Sequence, residues 1–161
     1  MTAGGGANLN AMQVIASGQR APDVPGLDFA EGPVALWFYK VTCPVCQMAA
    51  PKAEALAQAY PGRVRGIGQD PDPKLALFAD EFGQTFETEA DLPPYPASNA
   101  YGIRVVPTAV LVDAEGTVRD VVESWDRQGM NRLAGALARL TGSEPATISS
   151  PGDGLPPFRP G

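Results

Sequence analysis

The chain has no histidine and only two cysteines among its 161 residues. Without an imidazole there is no Ser-His-Asp triad and no Cys-His catalytic pair. A mononuclear zinc site takes four ligands, drawn mostly from Cys and His. Two cysteines would need dimeric sharing or carboxylates to complete one, so no metal is expected. Two cysteines are also too few for a disulfide scaffold of this size. Long apolar runs are missing as well: PVALWFY at 33–39 is strand-sized, and no membrane span is expected. The start, MTAGGGANLN, has no basic residue before Arg20 and no continuous apolar core, so it does not read as a signal peptide. The expected location is cytoplasmic, with an extracytoplasmic alternative if a targeting segment was removed. Basic charge is scarce too, with 12 Lys and Arg against 18 Asp and Glu. Residues 70–91 alone carry seven acids (Asp70, Asp72, Asp80, Glu81, Glu87, Glu89, Asp91) against Lys74. Nucleic acid is therefore not an expected partner. The acidic stretch reads as a solvated face of a helix and loop.

What is present is one domain's worth of chain, 44% hydrophobic, large enough for a core without cross-links. Both cysteines lie in KVTCPVCQ at 40–47. As a staple the pair is poor, because closing so short a loop removes little entropy from the unfolded chain. Redox chemistry is the favoured reading. VALWFY before it is apolar on both faces, as in a central strand covered on each side. CPVCQMAAPKAEALAQAY after it reads as a helix, with Met48, Leu56 and the alanines forming an apolar stripe. The cysteines then sit where a strand ends and a helix begins. Pro44 suits the first helical turn, where a missing N–H costs nothing. A thiolate at Cys43 would face unpaired N–H groups and the positive end of the helix dipole. Cys43 is thus the expected attacking sulfur, and Cys46, one turn deeper, the resolving one.

Further along, GRVRGIGQD at 62–70 contains a strand, and DPKLALFADEFG reads as a helix ended by Gly83. FETEADLPPYPASNAYGI at 86–103 is loop-rich, with Pro93, Pro94 and Pro96 close together. VVPTAVLVDAEGTVRDVVES reads as a hairpin turning at 113–116. DRQGMNRLAGALARL at 126–140 is an amphipathic helix with Leu133, Leu137 and Leu140 on one face and Asp126 as N-cap. The order β–α–β–α–β–β–α implies an α/β fold, a central mixed β-sheet flanked by helices on both faces.

CPVC at a strand-to-helix junction, YGIRVVPTAVLVDAEGTV after it, a closing helix and the entry segment GQRAPDVPGLDF together resemble the thioredoxin superfamily. More narrowly the chain is similar to its redoxin or TlpA-like branch over residues 18–140. The resemblance implies a thioredoxin-like fold and a thiol–disulfide oxidoreductase that uses no cofactor. It implies that Pro51 kinks the first helix and that Pro107 is the cis-proline beside the dithiol. It also implies that Val106 offers backbone hydrogen bonds to an extended substrate. Thr42, Pro44, Val45, Val106 and Pro107 are the expected substrate-contacting residues, and Lys40 a charge that tunes the thiols. Three positions depart from the pattern. Thr42 replaces a usual Trp, Trp37 stands where an acid is often buried, and Ala49 replaces a carboxylate that some TlpA-like reductases carry. No general base is expected beside Cys46.

Expected partners are a disulfide-containing protein or small thiol, and a thiol protein that donates or accepts electrons; the chain is expected to act as a monomer. Two alternatives stand beside the oxidoreductase. A peroxiredoxin-like peroxidase would need an arginine at the site, for which only Arg104 or Arg127 is on offer. A binding module would use the same groove without turnover. Residues 1–17 are expected to be a flexible segment whose Leu9, Met12 and Ile15 form at most a turn or two of helix. Residues 141–161 hold nine Pro or Gly in 21 positions, and a disordered tail is expected, although LPPFRP suits docking into a groove.

Overall fold

In the computed structural model, which describes residues 13–161, VALWFY forms strand β1 (Val34–Tyr39) with all six side chains buried. Around it assemble α1 (Pro44–Ala59), β2 (Val64–Gly68), α2 (Asp72–Phe82), β3 (Thr88–Ala90), α3 (Pro96–Ala100), β4 (Thr108–Val112), β5 (Val118–Glu123), β6 (Trp125–Asp126), α4 (Arg127–Thr141) and β7 (Phe158–Arg159). The five-stranded sheet has the order β3-β2-β1-β4-β5. β1 runs parallel to β2, and β2 to β3, while β4 is antiparallel to both β1 and β5. This is the expected mixed sheet.

Alternate residues of β1 feed opposite cores, as the two-residue period of a strand requires. Ala35, Trp37 and Tyr39 meet Leu56 of α1, Phe78 of α2 and Leu133 and Leu137 of α4 in one cluster. Leu36 and Phe38 meet Ile67, Val110 and Val118 in the other, covered by Tyr101, Ala97 of α3 and the entry residues Ala21 and Val24. The helices therefore lie on both faces, three long ones on one and the short α3 on the other. Each fully buried aliphatic side chain contributes roughly 1.5–3 kcal/mol relative to its exposed state.

Local signals hold where the sequence is periodic. Gly83 caps α2 in the left-handed region at φ 68°, and the Asp126 side chain caps α4 by accepting the Gly129 N–H. Pro51 lies inside α1. The loop-rich reading of 86–103 needs correction, since it contains β3 and α3. β3 completes the sheet edge, and α3 is opened by Asp91, whose carboxylate accepts the N–H groups of Ala97 and Ser98 at 2.9 and 2.8 Å. Asp70 and Asp91 are buried, so the acidic stretch is not simply a solvated face.

Residues 141–161 depart most from expectation. They are packed against the body, with Ile148 and Ser149 buried. Prolines need no partner for an N–H, and body side chains supply the remaining partners. The Tyr60 hydroxyl accepts the Ala146 N–H, and Asn131 accepts those of Ile148 and Ser149. Trp125 Nε1 donates to the Pro156 carbonyl at 2.7 Å, and β7 pairs with β6. At the other end, Leu9 and Met12 lie outside the described residues. Ile15 is tied to the body by its N–H, which donates to the Tyr101 carbonyl at 3.0 Å.

Candidate active site

β1 and β2 end side by side at the carboxyl edge of the parallel pair, where open α/β sheets leave a crevice. The chain leaves β1 through Lys40, Val41 and Thr42 and enters α1 at Cys43. That turn is pinned from two sides. The Val41 N–H donates to Asp70 Oδ2 at 2.8 Å, and Gln47 Nε2 donates to the Val41 carbonyl at 2.8 Å. The Cys43 N–H closes the turn on the Lys40 carbonyl.

Cys43 is itself the N-cap of α1, with extended backbone (φ −80°, ψ 117°) and its sulfur accepting the Cys46 N–H at 3.2 Å. The sulfur thus takes the role that a Ser or Asp oxygen plays at other helix starts. A helix N-terminus with an N–H aimed at sulfur suits a sulfur bearing negative charge. Pro44 occupies the first helical position and is exposed. Cys43 is partly exposed and Cys46 wholly buried; both are free thiols. Burial pushes the Cys46 thiol well above the ordinary range. Its hydrogen bond with the Cys43 sulfur and the charge of Asp70 act in the same direction.

Across from α1, the Val106–Pro107 peptide bond is cis, and the Val106 carbonyl lies 3.5 Å from Cys43 Sγ. Val106 is half-buried and Pro107 buried. Cys43, Cys46, Val106 and Pro107 therefore come together, with Thr42 and Pro44 exposed at the mouth. Val45 does not join them. It is 5% exposed and points into the core beside Cys46, because the second residue of α1 faces the sheet. Lys40 borders the site through its carbonyl, which accepts the Cys43 N–H.

Asp70 is the residue that sequence reasoning missed. Trp37 and Ala49 do fill the positions where acids were sought, and both are buried. The carboxylate comes instead from the next strand, just beyond Gly68, which pairs with Tyr39. An acid following a strand that runs parallel to β1 is the signal that would have found it. The two arginines considered for a peroxide are engaged elsewhere. Arg104 forms a two-pronged pair with Glu123 at 2.8 and 2.9 Å, and Arg127 binds Ser149, Asp153 and the Leu155 carbonyl.

Among the described residues no helix is long and apolar enough to cross a membrane. No curated protein matches the sequence. Among solved structures, DsbF of Mycobacterium tuberculosis, recorded in mixed oxidised and reduced forms, is 30% identical. The match covers 65% of this chain and 80% of that one, at a TM-score of 0.57. A secreted M. tuberculosis disulfide oxidoreductase homologous to Escherichia coli DsbE is 24% identical, covering 81% and 98%, at a TM-score of 0.59. A thioredoxin-family thiol:disulfide interchange protein from Chlorobium tepidum is 20% identical, covering 77% and 99%, at a TM-score of 0.61. The family model described as AhpC/TSA matches residues 15–121, which include the dithiol, Pro107 and nearly all of the sheet, and the chain belongs to this redoxin family within the thioredoxin-like thiol–disulfide oxidoreductases.

Proposed function

We propose that the chain is a thiol–disulfide oxidoreductase whose working couple is Cys43 and Cys46. The observation that carries this reading is the pairing of a partly exposed Cys43 sulfur, held at the start of α1 by the Cys46 N–H, with a fully buried Cys46 behind it. The Cys43 thiolate attacks one sulfur of a substrate disulfide, forming a mixed disulfide and expelling the other substrate sulfur as a thiolate. Cys46 then gives up its proton and attacks the Cys43 sulfur, which releases the second substrate thiol and closes the Cys43–Cys46 bridge. Two electrons pass to the substrate, and the dithiol of a second carrier then supplies two more, reducing the Cys43–Cys46 bridge as the carrier is oxidised to its disulfide. Substrate lies across Thr42, Pro44, Val106 and Pro107. Its class is a protein or small-molecule disulfide.

The order of the sulfurs has a direct test. With insulin as substrate and dithiothreitol as electron supply, Cys43→Ser is expected to show no turnover above background. Cys46→Ser is expected to accumulate a mixed disulfide at Cys43, read by intact mass. A Cys46→Ser protein that turns over normally, or a Cys43→Ser protein that traps substrate, would overturn the assignment.

A further inference from the structure

The groove beside Cys43 already contains polypeptide. Gly161 lies against the Val106 carbonyl so closely that a Cβ there would overlap the Val106 oxygen and carbon. The Gly161 N–H donates to Ser124 Oγ at 3.0 Å. Ser124, between β5 and β6, holds a left-handed backbone at φ 68°, a conformation costly for a residue with a side chain. Its own N–H donates to the Pro107 carbonyl at 2.8 Å, so Ser124 links the cis-proline turn to Gly161. Just before Gly161, Arg159 pairs with Trp125 across β6 and β7 and reaches Met48 of α1 at 3.8 Å. Residues 158–161 therefore bridge the two walls of the dithiol site, α1 on one side and Val106–Pro107 on the other.

We propose that residues 158–161 are a built-in occupant of the substrate groove, and that an extended polypeptide substrate reaches Cys43 by displacing them. The inference rests on the oxidoreductase reading above and adds the regulation of its site. Two features of the segment fit the role. It is lightly held: Phe158, Arg159, Pro160 and Gly161 are all exposed, and β7 is two residues long. It is also firmly tethered, because Asp153 accepts from Lys52, Arg127 and Ser149, and Trp125 holds Pro156. The tether keeps the occupant at high local concentration, while the exposed, lightly held residues 158–161 let a longer strand compete. Prolines 156, 157 and 160 hold the segment extended at small entropic cost. Only a residue without a side chain fits at 161.

The full chain carrying Gly161→Val tests this, since the added side chain cannot sit against the Val106 carbonyl. Insulin reduction should accelerate about ten-fold if the groove is nine-tenths filled at rest. Alkylation of Cys43 by iodoacetamide, which needs no groove, should change less than about two-fold. A synthetic peptide of residues 155–161 added in trans should slow the variant and leave the parent unchanged. Insulin rates that stay equal, with no peptide inhibition of the variant, would overturn the inference. A cysteine-free background (Cys43→Ser, Cys46→Ser) separates the two proposals. If, with both cysteines present, neither the parent nor Gly161→Val reduces insulin, the oxidoreductase reading falls; in the cysteine-free background occupancy is read without turnover. Occupancy is still decided by whether the peptide shifts the Ser124 and Val106 amide resonances only when Gly161→Val is present.

Discussion

The Asp70 carboxylate accepts the Val41 N–H at 2.8 Å, and so ties the end of β2 to the turn that delivers Cys43. Two consequences separate cleanly. Asp70→Ala strands the Val41 N–H and should cost about 1–3 kcal/mol. In a chain of this size that lowers Tm by roughly 2–4 °C per kcal/mol, readable by calorimetry. Asp70→Asn keeps an acceptor but removes the charge that helps hold Cys46 protonated. Its mixed disulfide should resolve faster than the parent's at pH 8 in stopped-flow measurements. An unchanged resolution rate would sink the electrostatic role and leave Asp70 a purely structural residue.

Cys46 should be chemically silent in the folded protein. Iodoacetamide between pH 7 and 9 is expected to leave a single adduct, on Cys43, with Cys46 modified only after urea unfolding; a second adduct on the native protein would contradict this. The same burial sets a pH dependence. Cys46 ionises at higher pH folded than unfolded, as do Tyr39 and Tyr101, all raised chiefly by burial. Their contribution to stability is complete below the unfolded values of about 8.5 and 10 and is lost as pH climbs through the folded ones. The urea midpoint should therefore fall above about pH 9, and Cys46→Ala should remove the earliest part of that fall.

How much of this was readable from residues alone follows from the range of the interactions. VALWFY, the helix after CPVC, Gly83 and Asp126 are local patterns, and each produced its element where expected. Asp70 depends on the parallel pairing of β1 with β2, which no local pattern specifies. Val45 is expected beside Pro44 among the substrate-contacting residues, but helical geometry turns it into the core. The segment 141–161 has a disordered composition because its order is borrowed. Tyr60, Trp125, Arg127 and Asn131 supply the hydrogen bonds, and nothing in TGSEPATISSPGDGLPPFRPG announces them.

Tyr60 gives a measure of that borrowed order. Its hydroxyl donates to the Glu144 carbonyl at 3.1 Å and accepts the Ala146 N–H at 2.9 Å, while its ring is buried under α1. Tyr60→Phe keeps the ring and loses both bonds, at roughly 1 kcal/mol each. Urea denaturation should show a loss of about 1–2 kcal/mol, with faster hydrogen exchange at Ala146 and little change in the sheet. Uniform acceleration across β1 and β4 would mean that Tyr60 acts through the core instead.

Asp153 decides whether the segment stays clasped. Its carboxyl is held well below the usual range, first by Ser149, then by the Leu155 N–H and by Lys52. A depressed folded value means that this contribution is present above the unfolded value of about 3.9 and is lost as pH falls through the folded one. The clasp should thus be intact at pH 5 and weaken only below about pH 4. Asp153→Ala removes it at every pH, and it also leaves Lys52 and Arg127, 21% and 12% exposed, facing each other without their shared anion. Hydrogen exchange at Ser150 and Leu155, whose N–H groups Asp153 accepts, should then be fast at pH 7 in the variant, matching the parent in acid, while α4 keeps its protection. If those amides stay equally protected in Asp153→Ala, the segment is held by its other partners, Tyr60, Trp125, Arg127 and Asn131. The dithiol groove would then be filled by a segment that no single ion pair can release.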